Sequence, residues 1–419
     1  MIEIKKIKEL GNNSLYLILI FFIPALIVTG PLLPDLLISI FALIFLVFYF
    51  QKKISNKFIY KFKFIFLFWF LILVSSFFSN YLSDSLIDTA VLLRFVFFLI
   101  FFCYLLDNKL NKNIFFYILL IILLAVSFDA YIQLFLEKNI LGFPKEDPKR
   151  LSGLFGDEYV LGSYLLRFFP ILLFLSPKNE KINNLMLIIF FIIIEPLIFF
   201  SGQRSPLIMS FFLILGLLII NFKNRIFYLS FGICFLIILF NLQYNKKYHE
   251  RYIYDVKANF KFESKIESKQ NNIQEKKFKY SVITPGHTQI YYNSYLLFKE
   301  KPFFGHGIKS FRYACKNYNE KGCSTHPHNF YLQLLSETGI FVFLIVFIFY
   351  LVLLKEILVL IYKILIKKKK YLDKKYYSCL NLLIVLFPLQ SNGNLFNNYM
   401  LSQLIFILSI YFFSKYSND

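Results

Sequence analysis

Two histidines one residue apart open the segment His326-Pro-His-Asn-Phe-Tyr-Leu-Gln-Leu-Leu-Ser-Glu-Thr-Gly339, which runs into a long apolar stretch. An imidazole such as that of His326 or His328 titrates near neutrality and can take a proton from an attacking hydroxyl. Arg204 stands in the six-residue polar loop Ser201-Gly-Gln-Arg-Ser-Pro206 between two apolar blocks, and Arg150 opens the Gly-containing turn Arg150-Leu-Ser-Gly-Leu-Phe-Gly156. A guanidinium suits phosphate, because its planar fork donates two parallel hydrogen bonds and its charge is permanent. A further turn, Lys301-Pro-Phe-Phe-Gly-His-Gly-Ile308, adds another imidazole. Arginines and a histidine together fit a reaction with a diphosphate leaving group. Other readings stay open on the residues alone. The set also suits binding of a lipid phosphate without chemistry; Arg204 suits a snorkelling interfacial anchor, and His326 with His328 suits a metal pair or simple loop polarity.

The elements that must position these groups are apolar. Of 419 residues 58% are hydrophobic and 21% aromatic, and the mean hydropathy is +0.60. The apolar residues come in blocks of roughly 17–25, the length that crosses a ~30 Å hydrocarbon layer as helix. A membrane β-barrel is excluded, since its strands alternate and give no such run. The net charge of +21 does not point to nucleic acid, because most Lys and Arg flank apolar blocks, where they orient a membrane protein. The fold class is therefore an all-α polytopic membrane protein with about twelve transmembrane helices. Spans are expected near 15–30, 32–50, 64–80, 86–106, 114–136, 158–175, 184–200, 206–221, 226–242, 338–362, 376–391 and 396–413. The first is read as uncleaved, because no small-x-small site follows it.

This divides the chain into spans 1–9 (residues 1–242), one large hydrophilic loop (243–337) and spans 10–12 (338–419). With the N-terminus inside, cytoplasmic segments carry 22 Lys and Arg against 5 in the short outer loops, so both termini are expected in the cytoplasm and the large loop outside. Within that loop 287–301 puts Ile290, Ser294, Leu297 and Phe298 on one face, as an amphipathic helix lying on a membrane would. The Lys- and Glu-rich stretch from Asn245 to Tyr280 reads as a solvated helix or loop. Cys315 and Cys323 both fall in the loop, where oxidation makes a disulfide between them plausible.

Four charges lie inside spans: Arg94, Asp129, Arg167 and Glu195. Each is costly in lipid unless paired or facing a wet cavity. Counted along the helices at 1.5 Å per residue, all four sit roughly 8–14 Å below the outer surface. They are expected either as one polar cluster flooring an outward-facing cavity or as structural ion pairs.

The Ser-Gly-x-Arg loop, the later KPFFGHGIKSF stretch and HPHNFYLQLLSETG entering a span together resemble the O-antigen ligase / O-antigen polymerase superfamily. The motifs cover about residues 150–350, and the topology covers the whole chain. The resemblance implies a metal-independent, inverting, GT-C-like glycosyltransferase without cofactors. Its donor would be a glycan on undecaprenyl diphosphate at the outer face of a bacterial inner membrane. Its acceptor would be a lipid A–core sugar in ligases and another lipid-linked glycan in polymerases. Membrane lipids are the remaining partners, with no nucleic acid. The family's essential histidine matches His328, followed by Asn329; its short-loop arginine matches Arg204, and Arg150 matches an arginine before the Gly-containing turn. His287 stands where many relatives carry a further arginine, so the diphosphate set is expected to be Arg150, Arg204, His287, His326 and Asn329, with Lys299 or Arg312 as substitutes for His287. Val342 replaces a small residue common in ligases, which weighs toward a polymerase. A transporter of lipid-linked sugars would also have about twelve spans and buried charges, but would show internal repeats, and none is visible between the halves.

Overall fold

The computed structural model describes residues 14–107, 112–260, 264–265, 277–278, 285–318, 322–367 and 373–416. The basic residues Lys5, Lys6, Lys8, Lys109 and Lys368 to Lys370, and most of the Lys/Glu run between 261 and 284, lie outside the described residues. Helices occupy every segment expected to span. They are α1 (Ser14–Val28), α2 (Leu32–Phe50), α3 (Lys63–Phe77), α4 (Leu82–Asp107), α5 (Lys112–Leu136), α6 (Leu161–Leu175), α7 (Glu180–Phe200), α8 (Arg204–Asn221) and α9 (Arg225–Tyr244). Then follow α10 (Pro285–Glu300), α11 (Phe330–Leu365), α12 (Asp373–Val385) and α13 (Asn398–Tyr416). Among the described residues seven of these, α2, α4, α5, α7, α8, α9 and α11, are long and apolar enough to cross a membrane, and α1, α3 and α6 are shorter apolar helices. This is the architecture of a multi-pass membrane protein. Among the described residues the strand content is one two-residue ladder, Ser264–Lys265 against Lys277–Phe278.

The bundle is organised around α6, which is buried at every position except Ser163. Phenylalanine and leucine dominate the interior, with aromatic rings packed edge-on or stacked, as in Phe21 against Phe102, Phe115 and Phe406. Such pairs add about 0.5–1.5 kcal/mol beyond area burial. The outside of the bundle is apolar as well: Leu43, Phe70, Ile121, Phe135, Leu236 and Leu358 are all exposed, as suits side chains facing lipid rather than water.

Two boundaries depart from expectation. The span placed at 376–391 ends as helix at Val385, because Pro388 has no N–H to continue the ladder and disfavours helical backbone just before it. The span placed at 338–362 is one helix from Phe330. Its 36 residues make about 54 Å at 1.5 Å per residue, more than a hydrocarbon layer needs. A π-helical turn at Leu334–Thr338 and a left-handed Gly339 (φ 77°) interrupt it, so the first two turns form a separate piece at the site end of the bundle.

The α10 helix exists as expected, but its apolar face does not await a membrane. Leu297 packs with Phe311, Ala314 and Cys315, with Ile290, Tyr81 and Tyr318 around them. Cys315 and Cys323 form a disulfide, with their Cα atoms 5.3 Å apart, which closes this small core over α10.

Candidate functional site

The site is built first at the start of α11. Asn329 caps the helix: its Oδ1 accepts from the backbone N–H groups of Tyr331 and Leu332, both at 3.0 Å. Its Nδ2 donates to the carbonyls of Pro388 at 2.7 Å and Gln390 at 3.1 Å. Asn329, expected to touch diphosphate, thus commits both ends of its amide to the fold. The loop that it grips runs from α12 to α13. Asn392 N–H donates to the His328 carbonyl at 2.8 Å, and Gln333 holds Asn394 Oδ1 at 2.7 Å and Leu395 N–H at 2.9 Å.

This grip holds His328 at φ +57°, a left-handed conformation uncommon for a residue with a Cβ and sustained only where surrounding contacts over-determine it. The turn gathers three imidazoles. The ring centres of His326 and His328 are 4.1 Å apart, and those of His287 and His328 5.2 Å apart. Nε2 of His328 lies 3.2 Å from Ser324 Oγ, and Nδ1 of His326 lies 2.9 Å from Thr325 Oγ1. Burial pushes the pKa of His328 down to about 4, helped by its two imidazole neighbours. Burial likewise pushes His326 down to about 4 and lowers His287. Burial thus disfavours the protonated form of all three rings, which suits a base better than a standing charge. Among the described residues no group of three or more His, Cys, Asp or Glu is arranged to hold a metal ion.

The glycine motifs explain how the turn is braced. Gly307 N–H donates to the Glu337 carbonyl at 2.7 Å, and His306 N–H to Ser336 at 3.1 Å. The two motifs, KPFFGHG and SETG, therefore meet backbone to backbone. A Cβ on Gly339 would lie 2.2 Å from the Phe303 carbonyl oxygen, and its φ of 77° adds a left-handed penalty of roughly 1–2 kcal/mol for any side chain. Gly339→Ala is expected to lower the amount of folded protein and its melting temperature in detergent, read by fluorescence-detected size exclusion after heating. An unchanged melting profile would mean that this interlock does not brace the turn.

A second cluster holds the arginines. Gly202 packs so tightly that a Cβ there would sit 2.4 Å from the Lys149 carbonyl oxygen and 2.9 Å from Arg150 Cγ, so the loops of Arg204 and Arg150 touch. The Arg150 turn is anchored by Gln133, whose Oε1 accepts from Ser152 and Gly153 N–H at 3.1 and 2.8 Å. Its guanidinium lies 3.9 Å over the Tyr159 ring. Arg204 donates through Nε and Nη2 to the Arg251 carbonyl, at 3.2 and 2.9 Å, and meets Asp255 Oδ2 at 3.3 Å. Arg251 Nε in turn donates to the Gly202 carbonyl at 2.9 Å.

Arg251 was not anticipated, because it falls in the stretch read as a solvated helix or loop. In the structure residues 246–260 are helical and fold back on α7. Tyr248 is buried against Phe199 and Phe200, and Tyr252 stacks on Phe199. Tyr248 and Tyr252 are four residues apart, one helical turn, and that spacing was the available signal.

The two clusters adjoin. Ser205, next to Arg204, donates to the Ser391 carbonyl at 3.3 Å, and Ser391 Oγ lies 3.4 Å from His287 Nε2, whose ring touches His328. The four buried charges, in contrast, do not form ion pairs with one another. Arg94 pairs with Asp35 at 2.7 Å. Asp129 accepts from Ile140 N–H at 3.0 Å beneath the Arg150 turn. Glu195 accepts from Ser210 Oγ at 2.7 Å. Arg167 donates to Gln403 Oε1 at 2.9 Å and reaches Asn392 Oδ1 at 3.5 Å, so it alone supports the loop that holds His328. Equal depth along four helices does not make neighbours, because each helix turns its charge toward a different partner.

No curated protein matches the chain. Residues 187–347 match the family model described as O-antigen ligase. That stretch contains Arg204, Arg251, His287, His326 and His328, while Arg150 and the 388–397 loop lie outside it. The residues that build the site thus fall largely inside a segment similar to O-antigen ligases, and this places the resemblance of the chain with the O-antigen ligase superfamily.

Proposed function

We propose that this chain is a glycosyltransferase that moves a glycan from undecaprenyl diphosphate to a sugar hydroxyl of lipid A–core, at the outer face of the bacterial inner membrane. The observation that carries this reading is the adjacency of half-buried His328, whose protonated form burial disfavours, to the Arg150–Arg204 cluster, linked through Ser205, Ser391 and His287. A ligase/polymerase-type activity is supported by the family match over 187–347. The outer placement of the site rests on the excess of Lys and Arg in the opposite loops.

The reaction is one in-line displacement with inversion. The acceptor hydroxyl oxygen forms the new bond to the anomeric carbon, and its proton passes to His328. The bond from that carbon to the diphosphate oxygen breaks, and undecaprenyl diphosphate leaves with the electron pair. Arg204 and Arg150 neutralise the charge that builds on the leaving oxygen, the kind of electrostatic stabilisation that usually contributes most. Holding both lipid-borne substrates at one membrane surface supplies proximity. Val342, at a position that is often small in ligases, favours the polymerase reading, in which the acceptor is a second lipid-linked glycan.

One reconstitution separates these readings. Purified protein in nanodiscs is incubated with a polyprenyl-diphosphate glycan and either lipid A–core or a second lipid-linked unit, with and without chelator. Joined product on lipid A–core supports the ligase. Product only on the lipid-linked unit means a polymerase. Movement of the donor across a bilayer without a new glycosidic bond would sink the enzyme reading in favour of a transporter.

A further inference from the structure

The arginine cluster contains more than the donor reading requires, and the excess has a pattern. Three guanidiniums converge from three chain segments: Arg150 in the turn before α6, Arg204 at the start of α8 and Arg251 in the helix that folds back after α9. Arg251 is the positive neighbour of both others. Like charges that close repel, and a fold keeps them together only where an anion offsets them. The described residues supply little. Glu250 is engaged with Lys149 at 2.8 Å, and Asp147 Oδ1 accepts from Lys149 N–H at 2.8 Å. Among the described residues Asp255 alone bonds to the cluster, by one oxygen, 3.3 Å from Arg204 Nη2, and Asp147 lies close enough to Arg150 to offset part of its charge.

The remaining donors point to what is missing. Arg150 Nε is buried and makes no hydrogen bond among the described residues. Arg251 uses Nε on the Gly202 carbonyl, and among the described residues its two terminal nitrogens have no hydrogen-bond partner. Asp255 is more than one-third exposed, so it can swing away without unpacking a core.

We propose that Arg251 is a third diphosphate-binding residue, and that the Asp255 carboxylate holds one phosphate position at Arg204 until a polyprenyl diphosphate displaces it. A carboxylate presents two oxygens in a plane to the guanidinium fork, as one phosphoryl group does. The exchange turns one carboxylate on three cations into a diphosphate on three cations. Arg251 is well placed to couple the two events, since its own carbonyl receives two of the hydrogen bonds of Arg204. A ligand that draws Arg204 outward therefore loosens the peptide that carries Arg251. This inference rests on the donor reading above and extends it to the residues that grip the leaving group.

The two residues should act in opposite directions, which protects the test from mere misfolding. Full-length protein in nanodiscs is titrated with undecaprenyl diphosphate, and with undecaprenyl monophosphate for comparison. Arg251→Gln is expected to weaken diphosphate binding about tenfold, the loss of one charge-assisted contact, with Arg251→Lys in between and a smaller effect on the monophosphate. Asp255→Asn is expected to tighten diphosphate binding several-fold, because the competing carboxylate is gone. Unchanged binding in Arg251→Gln, or weaker binding in Asp255→Asn, overturns the proposal. If Arg251→Gln does not fold, the sign of the Asp255→Asn effect decides alone. Arg204→Gln separates the two levels of argument. Should wild-type protein fail to bind either lipid, or Arg204→Gln bind as wild type does, the donor reading itself falls. Should Arg204→Gln lose binding while the Arg251 and Asp255 variants behave as wild type, only the present inference falls.

Discussion

His328→Ala is expected to stop consumption of lipid-linked glycan while the protein accumulates normally in the membrane. Removing a positioned general base typically costs about 10²–10⁴ in rate. The fold should tolerate the change, because the contacts that hold this turn come from elsewhere: the backbone carbonyl of residue 328 to Asn392, the cap by Asn329, and Gln333. Relief of the left-handed strain differs little between His and Ala. Turnover near the wild-type rate would show that His328 is not the base. The pH profile carries the sharper signature. A histidine with an ordinary pKa would lose half its base form near pH 6.5. His328, pushed down to about 4 by burial, stays neutral through pH 5, so kcat/KM should remain flat from pH 8 to about 5 and fall only toward pH 4. Bound diphosphate is an opposite charge beside the imidazole and raises its pKa, so the acid limb of kcat should lie higher than that of kcat/KM. Coincident limbs near pH 6.5 in both would mean that the surroundings of the catalytic imidazole do not disfavour its protonated form.

Arg204→Gln is expected to reduce turnover by roughly 10²–10³, the usual cost of removing one fixed stabiliser of transition-state charge. Arg204→Lys should recover only part of it, because a point charge on a flexible stem replaces a planar fork. The comparison with Arg94→Gln excludes a general effect of charge loss. Arg94 is tied to Asp35 on α2, away from the arginine cluster, so its removal should lower protein level and leave the activity per folded molecule unchanged. An Arg204→Gln protein with normal turnover would reduce Arg204 to an interfacial anchor.

Much of the fold was legible along the chain. Apolar blocks separated by Lys-, Gly- and Pro-containing joints mark the helices to within a few residues, because hydrogen-bond satisfaction in hydrocarbon leaves an apolar block no alternative to helix. The motif residues stood out too, but residue chemistry alone left a snorkelling arginine and plain loop histidines open, and only the resemblance singled out their roles. The start of α11 was misjudged by eight residues. The Asn329 cap and the amphipathic turns after it read as loop, since only the docked 388–397 loop makes burial of Phe330 and Tyr331 favourable. Arg251 was hidden in a lysine-rich stretch whose structural value depends on two tyrosines finding Phe199 and Phe200.

The sequence by itself determined the helical membrane architecture and singled out His328, Arg204 and Arg150 as candidates, the first from apolar block length and the second from the motifs that resemble a known family. Tertiary structure alone decided that Asn329 caps a helix and grips the 388–397 loop, that Arg251 joins the other arginines, and that Arg94, Asp129, Arg167 and Glu195 go separate ways. The physical reason is geometric. Distance along the chain measures depth in the bundle, whereas a site needs the right rotation about each helix and the right neighbour, and both are settled only when the helices pack.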